Sequence, residues 1–171
     1  MHGDAVQVVE VPAGTLAASL EFRDYVDAYG IGLDGAAFPD IDAFARAFLR
    51  PPPTWVRTLM GLRNGVAGVF GLKKVVRARR SEAPLEFSRD ADVGIFRVVD
   101  RTYREIVLGQ DDRHLSVRVA LIYAGDVERR SAVVATLVRF HSALGRAYFL
   151  PVAPVHRRIV PAMMRNAIGR A

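Results

Sequence analysis

The chain has no cysteine. Disulfides, thiolate catalysis and thiolate-based zinc sites are therefore excluded. Lysine is almost absent: Lys73 and Lys74 are the only two, and the net charge of +6 rests on arginine. That excess is modest beside the charge of basic DNA-binding proteins, so it reads as a solvated surface with no nucleic-acid partner. No apolar run approaches the roughly 18 residues of a spanning helix, so no transmembrane segment is expected. Residues 1–10 contain Asp4 and no long apolar core, unlike a secretory signal. Cytoplasm is the expected location. The sequence has no Gly-x-x-x-x-Gly-Lys loop and no Gly-x-Ser-x-Gly turn, and the glycines between 61 and 71 fall within a helical pattern rather than after a strand. No catalytic residue and no cofactor are assigned on these grounds.

What is present is apolar substance. Half of the 171 residues are hydrophobic, enough to bury a core in one domain spanning 1–171. Residues 5–11 (AVQVVEV) read as a strand stopped by Pro12 and Gly14. Residues 16–33 read as a short helix or irregular segment, with Tyr25 and Tyr29 on one helical face. Asp40 is placed to cap a helix over 41–49 that carries Phe44 and Phe48 on one side. Pro51, Pro52 and Pro53 end it. A second helix is expected over 54–72, with Trp55, Leu59, Leu62, Val66 and Val69 at three- and four-residue spacings. Gly61, Gly65 and Gly68 share another of its faces. The basic run from Lys73 to Arg80 complements the dipole of that helix end. With the apolar stretch before it, it also raises a membrane-surface or protein–protein role.

Beyond a charged loop over 76–91, the pattern turns to strands: 93–99, 103–109, 114–124 and 131–141. Short turns over 100–102, 110–113 and 125–128 favour antiparallel hairpins. A terminal helix over 154–170 carries an apolar stripe of Val155, Ile159, Met163 and Ala167, with Pro161 expected to kink or divide it. Strands grouped after helices predict an α+β fold. The expected architecture is a helix-grip: a curved antiparallel sheet around a long C-terminal helix, with two or more helices after the first strand and a cavity between sheet and terminal helix.

Strand alternation then predicts faces. In 114–124, Leu115, Val117, Val119 and Leu121 share one face, and His114, Ser116 and Arg118 the other. In 131–141, Ala132, Val134, Thr136, Val138 and Phe140 share one face, and Arg139 and His141 lie on the other. The register that keeps the apolar face whole gathers His114, Ser116, Arg118, Arg139 and His141 on one side. This cluster reads either as a solvated face or as an anion-binding pocket wall, since arginine forks suit carboxylates and phosphates. A zinc site on His114 and His141, with His156, Asp111 or Asp112 as third ligand, is disfavoured by the neighbouring arginines, so no metal is assigned. Tyr148, Phe149 and Trp55 read as core or cavity wall.

The segments Asp111–Leu115, Val138–His141, Gly145–Phe149 and Pro154–Arg157, with Pro52–Arg57 and Gly71–Lys73, resemble the bacterial family catalogued as domain of unknown function 2867. The resemblance runs from about Phe22 to Met164. It implies a START-like helix-grip fold, as in polyketide-cyclase-like (SRPBCC) and lipid-binding proteins. Some relatives carry such a domain behind a nucleotide-binding oxidoreductase domain. This chain has no Gly-rich fingerprint for one, which argues against a redox role. The expected function is binding of a small, largely apolar molecule with an anionic or polar end, met by Arg118 and Arg139. His114, His141, Ser116, Tyr148 and Trp55 complete the candidate site. The alternatives are an enzyme of cyclase, hydrolase or isomerase type on the same cavity, with His114 or His141 as acid–base group, and the interaction surface around 61–80. A homodimer is left open.

Overall fold

A computed structural model describes residues 5–33, 38–51, 54, 85–124 and 130–169. The helix expected over 54–72, with Trp55, and the basic run after it lie outside the described residues. So does the 125–128 turn.

Seven strands form one sheet: β1 (Gln7–Val8), β2 (Tyr25–Gly32), β3 (Asp92–Val93), β4 (Phe96–Arg101), β5 (Glu105–Asp111), β6 (Leu115–Ala124) and β7 (Ser131–Phe140). Their order is β1-β2-β7-β6-β5-β4-β3, and every neighbouring pair is antiparallel. Helix α1 (Leu16–Ser19) and helix α2 (Ile41–Phe48) flank β2, and helix α3 (Ala143–Ile168) closes the described chain. This is an α+β fold of helix-grip type.

The sheet is sandwiched. On one side α2 and α3 bury Ile41, Phe44, Ile106, Leu108, Leu121, Val134 and Met164 in the main core. Phe44 and Phe48, one turn apart, stack with centroids 6.1 Å apart. Asp40 caps α2 by accepting from the Ala43 N–H at 2.7 Å, as the sequence predicts. The opposite face of the sheet is covered by the N-terminal segment, where Ala17 packs on Ala28, Val107, Ala120, Ala135 and Leu137. Glu105 fixes that segment. Its buried carboxylate accepts from the Leu16 and Ala17 N–H groups at 2.6 and 2.9 Å, satisfying the start of α1 from across the sheet.

Several elements differ from the sequence reading. Residues 25–32 are a strand between β1 and β7, not part of a helix. Tyr25 and Tyr29 do share a face, because an i, i+4 pair lies on one side of a strand as well as of a helix. The first strand shrinks to Gln7–Val8, with the Val9 N–H continuing to the Ala28 carbonyl.

The terminal helix starts at Ala143, well before Pro154, and runs unbroken through Pro151, Pro154 and Pro161. Each proline leaves the carbonyl four residues earlier without its helical donor. Those carbonyls belong to Ala147, Leu150 and Arg157, all exposed residues that water can reach. The prolines are tolerated because they damage only the wet side of the helix.

Candidate functional site

Strand alternation aims Leu108 of β5, Val117 and Val119 of β6 and Thr136 of β7 at the underside of α3. Between them and the helix lies a cavity of about 270 Å³. Phe48 from α2 and Val155, Ile159 and Met163 from α3 complete an apolar wall. Three of the four stripe residues predicted from sequence thus line it. Val117 and Val119 are only half-buried on the central strand of the sheet, because they face this space. Among the described residues, the polar side chains that reach the wall are Gln110, Thr136, Tyr148 and His156.

Thr136 and His156 belong to a hydrogen-bonded array. Thr136 is buried in mid-sheet beside Asp27, its partner on β2. His156 Nε2 lies 2.9 Å from Thr136 Oγ1 and 3.6 Å from Asp27 Oδ1. The Tyr25 hydroxyl donates to Asp27 Oδ2 at 2.6 Å, and Arg157 Nε donates to the Tyr25 oxygen at 3.4 Å. Asp27 Oδ1 and the Tyr148 hydroxyl are buried without a hydrogen-bond partner among the described residues. Burial pushes the Asp27 carboxyl up, but the facing His156 with the Tyr25 and Thr136 hydroxyls more than offsets it and holds the group below its ordinary value. Tyr25 is pushed up to about 12, by burial first and then by its bond to Asp27. The array therefore holds a carboxylate and a protonated phenol at neutral pH.

The predicted hairpin register holds. Ser116 opposes Arg139, Val117 opposes Val138 and Val119 opposes Thr136. Ser116, Arg118, Arg139 and His141 accordingly share one face, but it is the face turned away from the cavity. Arg118 and Arg139 are not placed to meet a ligand held under α3. Arg118 instead forks onto Asp111 at 2.8 and 3.0 Å and stacks on the Phe22 ring, while Arg139 is exposed. Ser116 Oγ lies 2.8 Å from Nε2 of the exposed His141. In a nucleophilic triad the carboxylate orients the histidine; here Asp111 contacts Ser116 and Arg118. His114 Nδ1 lies 2.9 Å from Ser142 Oγ, the N-cap of α3, and serves the helix start. Among the sequence candidates that are described, Tyr148 lines the cavity. No group of three or more His, Asp or Glu side chains able to hold a metal occurs among the described residues.

The sequence pattern does not single out Asp27, Thr136 and His156 as one site. Asp27 falls in a stretch whose spacing reads as helical or irregular, and only its place on β2 turns it inward. Thr136 was placed on the correct face, and a lone hydroxyl on an otherwise apolar strand face was the available signal.

The fold and cavity define a helix-grip α+β protein with a largely apolar pocket between sheet and terminal helix. The chain belongs to the family described as "Protein of unknown function (DUF2867)", whose model matches residues 20–163. No curated protein and no solved structure matches it significantly. No helix among the described residues is long and apolar enough to cross a membrane.

Proposed function

We propose that the protein binds a small, largely apolar molecule with one polar end in the cavity beneath α3. The observation that carries this is an apolar pocket with a few polar groups in its lining, the usual make-up of small-molecule sites. The helix-grip arrangement supports a place among START-like, polyketide-cyclase-like proteins. The polar end meets Thr136 and His156, in place of the arginines first suggested by the strand pattern.

Thermal unfolding against a panel of fatty acids, fatty alcohols and aromatic polyketides tests the reading. A ligand at 100 times its dissociation constant adds about 2.7 kcal/mol of stability. The absence of any shift across the panel, together with a crystal structure showing a closed interior, contradicts it.

An enzymatic reading has one observation in its favour: a histidine backed by a buried carboxylate on the wall of an apolar pocket. It moves the acid–base role from His114 and His141 to His156. It requires that His156→Gln abolish turnover of a bound substrate while binding survives.

A further inference from the structure

The polar groups of the cavity lining fall in two places, and they differ in how they are satisfied. Strand pairing sets Gln110, Val117 and Val138 in one row across the sheet and Leu108, Val119 and Thr136 in the next. Gln110 therefore stands two strands and one row from Thr136, on the order of 10 Å between backbones. Tyr148 shares one cluster with Leu115, Val117 and Val138, which places it over the Gln110 row. Thr136 and His156 bond each other. Among the described residues, no hydrogen bond engages the Gln110 carboxamide or the Tyr148 hydroxyl. Tyr148 is 4% exposed, and its hydroxyl is shut off from bulk water. A buried polar group without a partner costs stability. Phenylalanine would fill nearly the same volume without that cost, so packing alone does not account for the hydroxyl.

We infer that Tyr148 and Gln110 form a donor site for an uncharged carbonyl oxygen, so that the ligand is an apolar molecule carrying a ketone, ester or quinone carbonyl at the end of the cavity nearest the β5–β6 turn. The inference rests on the cavity-binding reading and adds a second point of recognition to Thr136 and His156. A carbonyl oxygen has two lone pairs and accepts from a phenolic O–H and an amide N–H together. An alcohol accepts too, but has its own proton to place as well. A carboxylate brings a charge, and among the described residues no Lys, Arg, Asp or Glu lines the cavity. Burying a charge without a counter-ion costs far more than burying a neutral carbonyl.

The test is calorimetric titration of the full chain at pH 7.5 with 2-acetylnaphthalene, 1-(2-naphthyl)ethanol, 2-ethylnaphthalene and 2-naphthoate. The first three share one carbon skeleton, and the affinity of the hydrocarbon reports the cavity alone. A hydrogen bond from an otherwise unpaired buried donor predicts about tenfold tighter binding of the ketone than of the hydrocarbon. The alcohol is expected to fall between them, and 2-naphthoate to bind no tighter than the hydrocarbon. In Tyr148→Phe and in Gln110→Leu the ketone-to-hydrocarbon ratio is expected to fall towards one while hydrocarbon affinity holds. The ratio separates recognition from folding, because a damaged fold weakens both probes together. Urea unfolding of the ligand-free proteins gives a second readout: Tyr148→Phe is expected to keep or raise the midpoint, since it removes a hydroxyl that has no partner. A lowered midpoint means that the hydroxyl is bonded within the fold and overturns the inference. Equal affinity of ketone and hydrocarbon in the wild type overturns it and leaves cavity binding intact, as does tighter binding of the alcohol or of 2-naphthoate than of the ketone. An unchanged ratio in either variant also overturns it. Failure of all four probes to bind overturns the cavity reading itself, and the inference with it.

Discussion

At the scale of single residues, Asp27 separates what the sequence could show from what it could not. Its neighbours Tyr25 and Tyr29 are compatible with either a helix or a strand, because a spacing of four shares a face in both. Only the strand assignment turns Asp27 inward against Thr136. The carboxyl is held below its ordinary value of 3.8. A carboxyl of this kind contributes stability that is present above its unfolded-state value and is lost as pH falls through the folded-state value. Wild type is therefore expected to exceed Asp27→Asn in stability at neutral pH, with the gap closing below about pH 4. Urea unfolding of both proteins at pH 7 and pH 3 measures it; a pH-independent gap contradicts the assignment. Glu105 has the opposite sign. Burial pushes its carboxyl up, against the opposing N–H groups of Ala17 and Leu16. Its contribution is thus greatest below its unfolded-state value and diminishes as pH rises through the folded-state one.

At the scale of elements, the β6–β7 hairpin was legible because an apolar face of two strands fixes register by itself. The N-terminal limit of α3 was not. Three prolines argue locally against a 26-residue helix, and only the exposure of the residues that bear the freed carbonyls resolves the conflict. Where the helix begins is set by close approach. Ser142 caps it, and a Cβ at Gly145 would stand 2.1 Å from the His114 carbonyl oxygen. In an open helical position Gly→Ala gains about 1 kcal/mol. Here a backbone oxygen occupies the space, and overpacking costs about 1–3 kcal/mol. Gly145→Ala is expected to lower the denaturant midpoint; an increase means that the helix start is not packed against the β5–β6 turn.

At the scale of the whole molecule, sequence patterning gave the fold class and the partition of β6 and β7 into two faces. It did not show which face the terminal helix covers. Both faces of this sheet are packed, one by α2 and α3 and the other by the N-terminal segment around Ala17. A polar cluster such as Ser116, Arg118, Arg139 and His141 could sit beneath the helix or behind the sheet with the same register. The lone Thr136 on the apolar face marked the cavity side, because a hydroxyl in mid-sheet needs a partner, and that partner came from β2 and α3.

On this reading, ligand enters the space between β6 and α3. Val119, half-buried on the central strand and paired with Thr136, is the position from which a larger side chain fills that space. Calorimetric titration of 2-naphthol into wild type and Val119→Trp measures whether it does. Binding to the wild type and its loss in a Val119→Trp protein with an unchanged circular dichroism spectrum is the predicted result. Equal affinity in the two proteins contradicts it.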